Sequence, residues 1–222
     1  MPRRLEALRA GTHRPISGPK ETDEYNARSD RLRCVGVLPM RYPDEAAQRS
    51  AHELLFVGRL VRKKGVTHLL EALAIARRTA PEARLTVLGT GPLEEALKSR
   101  ARELDIAGAV TFGGAVPNAD LAPHYRRAAA LVMPSVVADD GDQEGLGLVM
   151  AEALACECPV IASDLPAIRD VVEDGVTGLL ARQGDARDLA DKIVALLRDP
   201  ARSRGLARRG REVVLERFDW QR

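Results

Sequence analysis

The chain has 222 residues, 45% of them hydrophobic and 30% charged, which is the composition of a globular domain and excludes wholesale disorder. Lysine and arginine total 34 against 32 aspartate and glutamate, so the formal net charge is only +2 and no general attraction to nucleic acid is expected. Aromatic residues make up 3%, too few for base-stacking platforms, and three cysteines (Cys34, Cys156 and Cys158) are too sparse for a disulfide scaffold. No apolar run reaches the roughly 18 residues that span a bilayer, and the Arg-containing start MPRRLEALRAGTHRP has no apolar stretch after it, so no secretory signal is expected. The expected location is the cytoplasm, with a peripheral place at the inner membrane left open.

Residues 1–50 differ from the rest. Pro2, Pro15, Pro19, Pro39 and Pro43 punctuate them, and the one strand-like stretch, Arg33 to Leu38, stops at Pro39. We read 1–50 as an arm or linker and 51–222 as the folded domain. From there the pattern is regular. LLFVG (54–58) predicts a strand, and Val66 to Arg78 a helix with Leu69, Leu70 and Leu73 at helical spacing. A strand and turn over 84–91, helix 92–104 with Pro92 near its first turn, and strand 109–114 follow. Next come helix 120–128, strand 130–135, helix 145–157, strand 159–163, a short helix 168–174 and strand 177–181. Residues 186 to about 216 read as helix interrupted near Pro200.

Strands alternating with helices, each strand an unbroken apolar run, predict an α/β domain: a Rossmann-like, doubly wound parallel sheet covered on both faces. Ligands of such sheets lie outside the carboxyl ends of the strands. That rule selects the turns at 58–64, 89–91, 113–117, 134–147 and 163–166.

In the first of these, Arg59, Arg62, Lys63 and Lys64 put four cations in six residues. Arg59 and Lys64 could clamp a diphosphate, the first by a forked contact, the second as a point charge. A solvated basic loop is the competing reading. Gly89-Thr90-Gly91 lacks the third glycine of a dinucleotide fingerprint and reads as a tight turn. The richest segment runs from Pro134 to Ala155. Gly145 and Gly147 would let backbone N–H groups approach an anion at a helix start near Gly145. Glu144 precedes that start and Glu152 lies eight residues on, about 12 Å along a continuous helix, the span of a sugar diphosphate. Glu152 stands in the apolar stretch LVMAEALA, where a carboxylate is costly unless hydrogen-bonded. Asp139, Asp140 and Asp142 do not complete a calcium loop and read as a solvated loop. Cys156 and Cys158 lack a second ligand pair for a metal, and His13, His52, His68 and His124 are too scattered for a triad.

Four strings now stand in order: FVGRLVRKKGVTHLLEALA, VLGTGPLEEAL, VTFGGAVPNADLAPHYRRAAALVMPS and EGLGLVMAEALACECPVIASDLPAIRDVVEDGVTGLL. They resemble the C-terminal, donor-binding domain of retaining family 4 glycosyltransferases, enzymes of GT-B architecture with two Rossmann-like domains facing a cleft. The resemblance runs from about Leu54 to Trp220, and its paired glutamates are matched by Glu144 and Glu152. The acidic loop ADDGDQEGLG looks most like members that build exopolysaccharides.

The resemblance implies transfer of a glycosyl group from a nucleotide-diphosphate sugar with retention, and no metal or other cofactor. It implies that Arg59 and Lys64, in the turn opened by Gly58, contact the donor diphosphate and that Glu144 faces the donor sugar. The backbone of Gly145, Leu146, Gly147, Leu148 and Val149 would hold the distal phosphate and sugar, Glu152 the ribose, and Val116 the base pocket. A partner is implied too: the N-terminal acceptor domain of such enzymes, with its histidine near the reacting centre, has no counterpart in the first 50 residues. The chain would then be an incomplete enzyme, or a nucleotide-sugar-binding module or split subunit acting through a partner. A nucleotide-sugar epimerase is a third expectation. Leu146 replaces a common phenylalanine, the chain stops at FDWQR where relatives continue into a further helix, and Glu157 stands where relatives have glycine. If position 157 requires positive φ, the glutamate is strained.

Overall fold

A computed structural model describes residues 49–138, 141–143 and 147–218. The strand-like stretch at 33–38 lies outside them, as do Asp139, Asp140 and the stretch 144–146. Arg49 and Ser50, ahead of the expected domain boundary, belong to the fold: Ser50 N–H donates to the Arg127 carbonyl at 2.8 Å.

Six strands form one sheet: β1 (Glu53–Val57), β2 (Arg84–Leu88), β3 (Val110–Gly114), β4 (Ala130–Met133), β5 (Val160–Ser163) and β6 (Leu179–Ala181). Their order is β3-β2-β1-β4-β5-β6 and every neighbouring pair is parallel. Parallel pairing demands crossovers, supplied by α1 (Val66–Ala76), α2 (Glu94–Glu103), α3 (Ala122–Arg127), α4 (Leu148–Ala155) and α5 (Pro166–Arg169). α6 (Ala186–Arg198) and α7 (Pro200–Phe218) complete the helical layers.

The central strands explain the apolar runs. Leu54 to Val57 of β1, all of β4 and all of β5 are buried, because helices cover both faces. The edge strand β3 alternates between half-buried and exposed residues. On α1, Leu69, Leu70 and Leu73 turn inward, and α1 lies along α6, which contributes Leu189, Ile193 and Leu196. Burying each such side chain contributes about 1.5–3 kcal/mol. Asp185 starts α6 by accepting hydrogen bonds from the N–H groups of Arg187 and Asp188, both at 3.0 Å.

Three helices differ from the sequence expectation. The first begins at Leu148 rather than near Gly145, because Gly147 takes a left-handed conformation (φ 58°) and interrupts the helical path. The second, expected over 168–174, is confined to Pro166–Arg169. Beyond it the hydroxyl of Thr177 accepts from the Glu173 N–H at 2.8 Å, drawing the chain into a turn instead. The third, expected over 120–128, divides into a 3-10 turn at Asn118–Asp120 and α3.

The end of α4 follows the Schellman pattern. Glu157 N–H donates to the Leu154 carbonyl at 2.9 Å, and Cys158 N–H to that of Ala153 at 2.8 Å. This places Glu157 at φ 53°, the left-handed conformation a glycine would hold without strain. The Glu157 carboxylate stands 3.8 Å from the Arg211 guanidinium, too far for a strong compensating bond. We therefore expect Glu157→Gly to stabilise the chain by about 1 kcal/mol, raising Tm by roughly 2–4 °C in thermal unfolding. An unchanged or lowered Tm would show that the strain is compensated.

Candidate functional site

The strand order places a topological switch between β1 and β4. From β1 the chain crosses to β2 and β3 on one side, and β4, β5 and β6 extend the sheet on the other. The turns after β1 and β4 therefore leave a crevice between them at the carboxyl rim of the sheet. Both turns carry candidate residues, and the local packing explains why they stay together.

After β1 come Gly58, Arg59 and Leu60, then a 3-10 turn at Arg62–Lys64, then Gly65. Gly65 has φ 63°, and a Cβ there would sit 1.9 Å from the carbonyl oxygen of Pro134, just past β4. Only glycine allows this backbone-on-backbone contact. The Val136 N–H donates to the Lys63 carbonyl at 2.8 Å, and the Lys63 ammonium meets the Asp142 carboxylate at 2.9 Å. The acidic loop is thus tied to the basic turn, rather than solvated on its own as expected of Asp142. On the other side, Gly89 (φ 130°) abuts the Gly58 carbonyl, where a Cβ would come within 1.9 Å. Leu60 N–H donates to the Thr90 carbonyl at 3.0 Å. The basic turn is wedged between the turns after β2 and β4.

Within it, Arg59 is exposed and Lys64 half-buried. The Lys64 stem lies against Gly58, its Cε 3.7 Å from where a Gly58 Cβ would be. Leu60 is fully buried and anchors the turn between its cations. Across the crevice α4 starts at the Gly147 cap, and no side chain among the described residues caps its first N–H groups. Uncapped N–H groups with the helix dipole behind them favour an anion. Leu148 and Val149 are half-buried and pack on the core. Glu144, Gly145 and Leu146 lie outside the described residues. The helical path between the two glutamates is shorter than expected: from Leu148 to Glu152 it rises about 6 Å.

Glu152 is half-buried on α4. Burial pushes its carboxyl above the usual range, while hydrogen bonds from Tyr125 and Asn118 pull it back. The Tyr125 hydroxyl donates to Oε2 of Glu152 at 2.9 Å. Tyr125 is fully buried, and burial followed by the adjacent carboxylate drives its phenol far above the ordinary value, so it keeps its proton. Val116, half-buried against the core, precedes the 3-10 turn that carries Asn118. Neither Tyr125 nor Asn118 stands out in the sequence. The only hint was that a carboxylate in LVMAEALA requires a hydrogen-bond donor from elsewhere.

The far end of α4 holds two further residues that sequence reasoning passed over. Arg49 donates to the carbonyls of Tyr125 (3.2 Å), Ala128 (2.6 Å) and Glu157 (2.7 Å). Arg211 donates to the Ala155 carbonyl. Cations at a helix carboxyl end complement its dipole. Cys156 and Cys158 are buried there, with thiols pushed up by burial to about 11 and about 12, so both stay protonated. Among the described residues no group of three or more His, Cys, Asp or Glu could hold a metal ion. No helix among them is long and apolar enough to cross a membrane.

The family model for glycosyl transferases group 1 matches residues 44–213. The chain is 34% identical over 166 residues to a GDP-mannose-dependent alpha-(1-6)-phosphatidylinositol monomannoside mannosyltransferase of Mycolicibacterium smegmatis, covering 74% of this chain and 44% of that protein. It is 36% identical over 188 residues to a glycogen synthase of Mycobacterium tuberculosis, covering 84% and 44%. Among solved structures, sucrose-phosphate synthase from Thermosynechococcus elongatus superposes with a TM-score of 0.72 at 33% identity, covering 82% of this chain and 46% of that one. The chain spans about half the length of the curated relatives it matches.

The raised Glu152 carboxyl has a consequence for stability. A carboxylate with a folded value above its unfolded one binds protons more readily in the folded state, so its contribution declines as pH rises through the folded value. Gln keeps an oxygen that can accept from Tyr125 and carries no charge. Glu152→Gln is expected to raise Tm at neutral pH. The gain should shrink to nothing toward pH ~3, where the carboxyl is protonated in both states. A pH-independent difference would contradict burial as the cause.

Proposed function

The chain belongs to the group 1 glycosyltransferases, and from that premise we propose that it is the donor-binding half of an enzyme that transfers a glycosyl group from a nucleoside diphosphate sugar with retention of configuration. The observation that carries this reading is the wedge at the switch point. Two backbone contacts at glycines lock a basic turn between the turns after β2 and β4, and the helix that follows β4 starts uncapped at the same carboxyl rim of the sheet.

In this reading the diphosphate lies between the two. Arg59 and Lys64 approach it from the β1 side, and the N–H groups at Gly147, Leu148 and Val149 from the α4 side. During transfer the bond between the anomeric carbon and the phosphate oxygen breaks, and the leaving diphosphate gains negative charge. Fixed cations and oriented N–H groups stabilise charge at the position where it develops. The acceptor hydroxyl bonds to the anomeric carbon from the same face, and its proton passes to the departing phosphate oxygen. Glu144 and the 145–146 backbone are assigned to the sugar by the family resemblance. Glu152 accepts the ribose hydroxyls, and Val116 lines the base pocket. No metal is assigned to this step.

The names of the relatives favour transfer over epimerisation, since they include a mannosyltransferase and a glycogen synthase. The acceptor-binding half would come from a further domain, on the same polypeptide or a separate one. The chain alone is then expected to bind donor without sustained transfer.

Calorimetry with UDP, GDP, ADP and dTDP tests the site and identifies the base. One of the four is expected to bind, in EDTA as well as without it. Lys64→Ala removes a charge-assisted contact and should weaken that binding about tenfold. Glu152→Ala should weaken it by a similar factor, with circular dichroism unchanged in both variants. Unaltered affinity in the two variants would refute the assignment.

A further inference from the structure

Glu152 is reached from two other elements. Tyr125 comes from α3, where its hydroxyl donates to Oε2 of Glu152 at 2.9 Å. Asn118, on the turn after β3, lies near enough to lower the proton affinity of the same carboxylate. We infer that Tyr125 and Asn118 are positioning residues, which fix the Glu152 carboxylate in the orientation that accepts two neighbouring ribose hydroxyls. The inference rests on the donor-site reading above and assigns it two residues that touch no ligand atom themselves.

A free glutamate side chain has three rotatable bonds, and holding it still costs roughly 1.5–2 kcal/mol of rotamer freedom. At Glu152 that cost is met on folding. Tyr125 is fully buried, so its ring cannot swing away, and its hydroxyl proton is directed at the carboxylate. An ionised carboxylate offers about four acceptor positions. Tyr125 takes one and Asn118 draws on a second, which leaves positions for two hydroxyls on one sugar edge. Were burial alone required of position 125, phenylalanine would fill it without bringing a hydroxyl beside a charged group.

Asn118 adds a link along the rim. It follows Val116 by two residues, so the turn assigned to the base wall also carries a donor to the ribose acid. A base seated against that turn and a ribose seated on Glu152 would be registered through one short piece of backbone.

The test pairs variants with ligands. The probe is whichever of UDP, GDP, ADP and dTDP binds, compared with its 2′,3′-dideoxy form, which offers Glu152 no hydroxyl; if dTDP binds, the hydroxylated ligand is its ribose counterpart, 5-methyl-UDP. Tyr125→Phe is expected to weaken the hydroxylated nucleotide about fivefold and to leave the dideoxy form unchanged. Asn118→Ala lies on an exposed turn and should show the same split, so it decides the matter if the Phe variant does not fold. In a Glu152→Ala background neither change should have a further effect. Equal weakening of both ligands would mean a structural role only and would overturn the inference, as would no weakening of either. If the unaltered chain binds none of the four nucleotides, the donor-site reading falls and takes this inference with it. Binding that is indifferent to both variants removes the inference alone.

Discussion

The contact between Gly65 and the Pro134 carbonyl governs the candidate site. It joins the turn after β1 to the turn after β4 across the point where the sheet changes direction. Two neighbouring parallel strands would in any case bring their carboxyl ends to one rim. They would not fix how close the loops come, and a side chain at position 65 would hold them apart. With the contact made, a run of cations is held against the start of the segment that leads from β4 toward α4. Gly89 against the Gly58 carbonyl repeats the device on the other flank. Close backbone approach here does what a network of side-chain bonds does elsewhere.

The same economy explains the charge arrangement. Lys63 pairs with Asp142 at the surface, where such pairs contribute at most about 1 kcal/mol. Its neighbours Arg59 and Lys64 flank the crevice, one exposed and the other half-buried against Gly58. Glu152 carries the opposite burden: a half-buried carboxylate with its proton affinity raised by burial. Groups held in unfavourable surroundings are common where a protein must bind or react, because stability there is exchanged for readiness.

Much of this was legible from residue order. The runs LLFV, ALVM and VIAS announced buried parallel strands, and the alternation of strand and helix announced a doubly wound sheet. The family strings pointed to the rim turns. What escaped were contacts between elements and backbone conformations set by single residues. Tyr125 and Glu152 are 27 positions apart, on different helices, and no local pattern connects them. The entry to α4 was misplaced because either of two glycines two residues apart can begin a helix, and Gly147 takes a left-handed turn. Arg49 was assigned to an arm because its neighbours lack apolar periodicity, yet its partners are carbonyls that no hydropathy pattern displays. The strain at Glu157 was the exception, since a glutamate in a glycine's place is visible as soon as the resemblance is.

The clamp at the rear of α4 draws on both extremities of the domain: Arg49 lies just ahead of the first strand, and Arg211 sits in the last helix. Arg49 grips the Glu157 carbonyl just beyond the end of the helix that points away from the crevice, and Arg211 grips that of its last residue, Ala155. Excising either extremity, by protease or by design, would unbolt that helix at its heel while leaving every residue at its toe intact. The placement of that helix is therefore hostage to segments remote from the crevice.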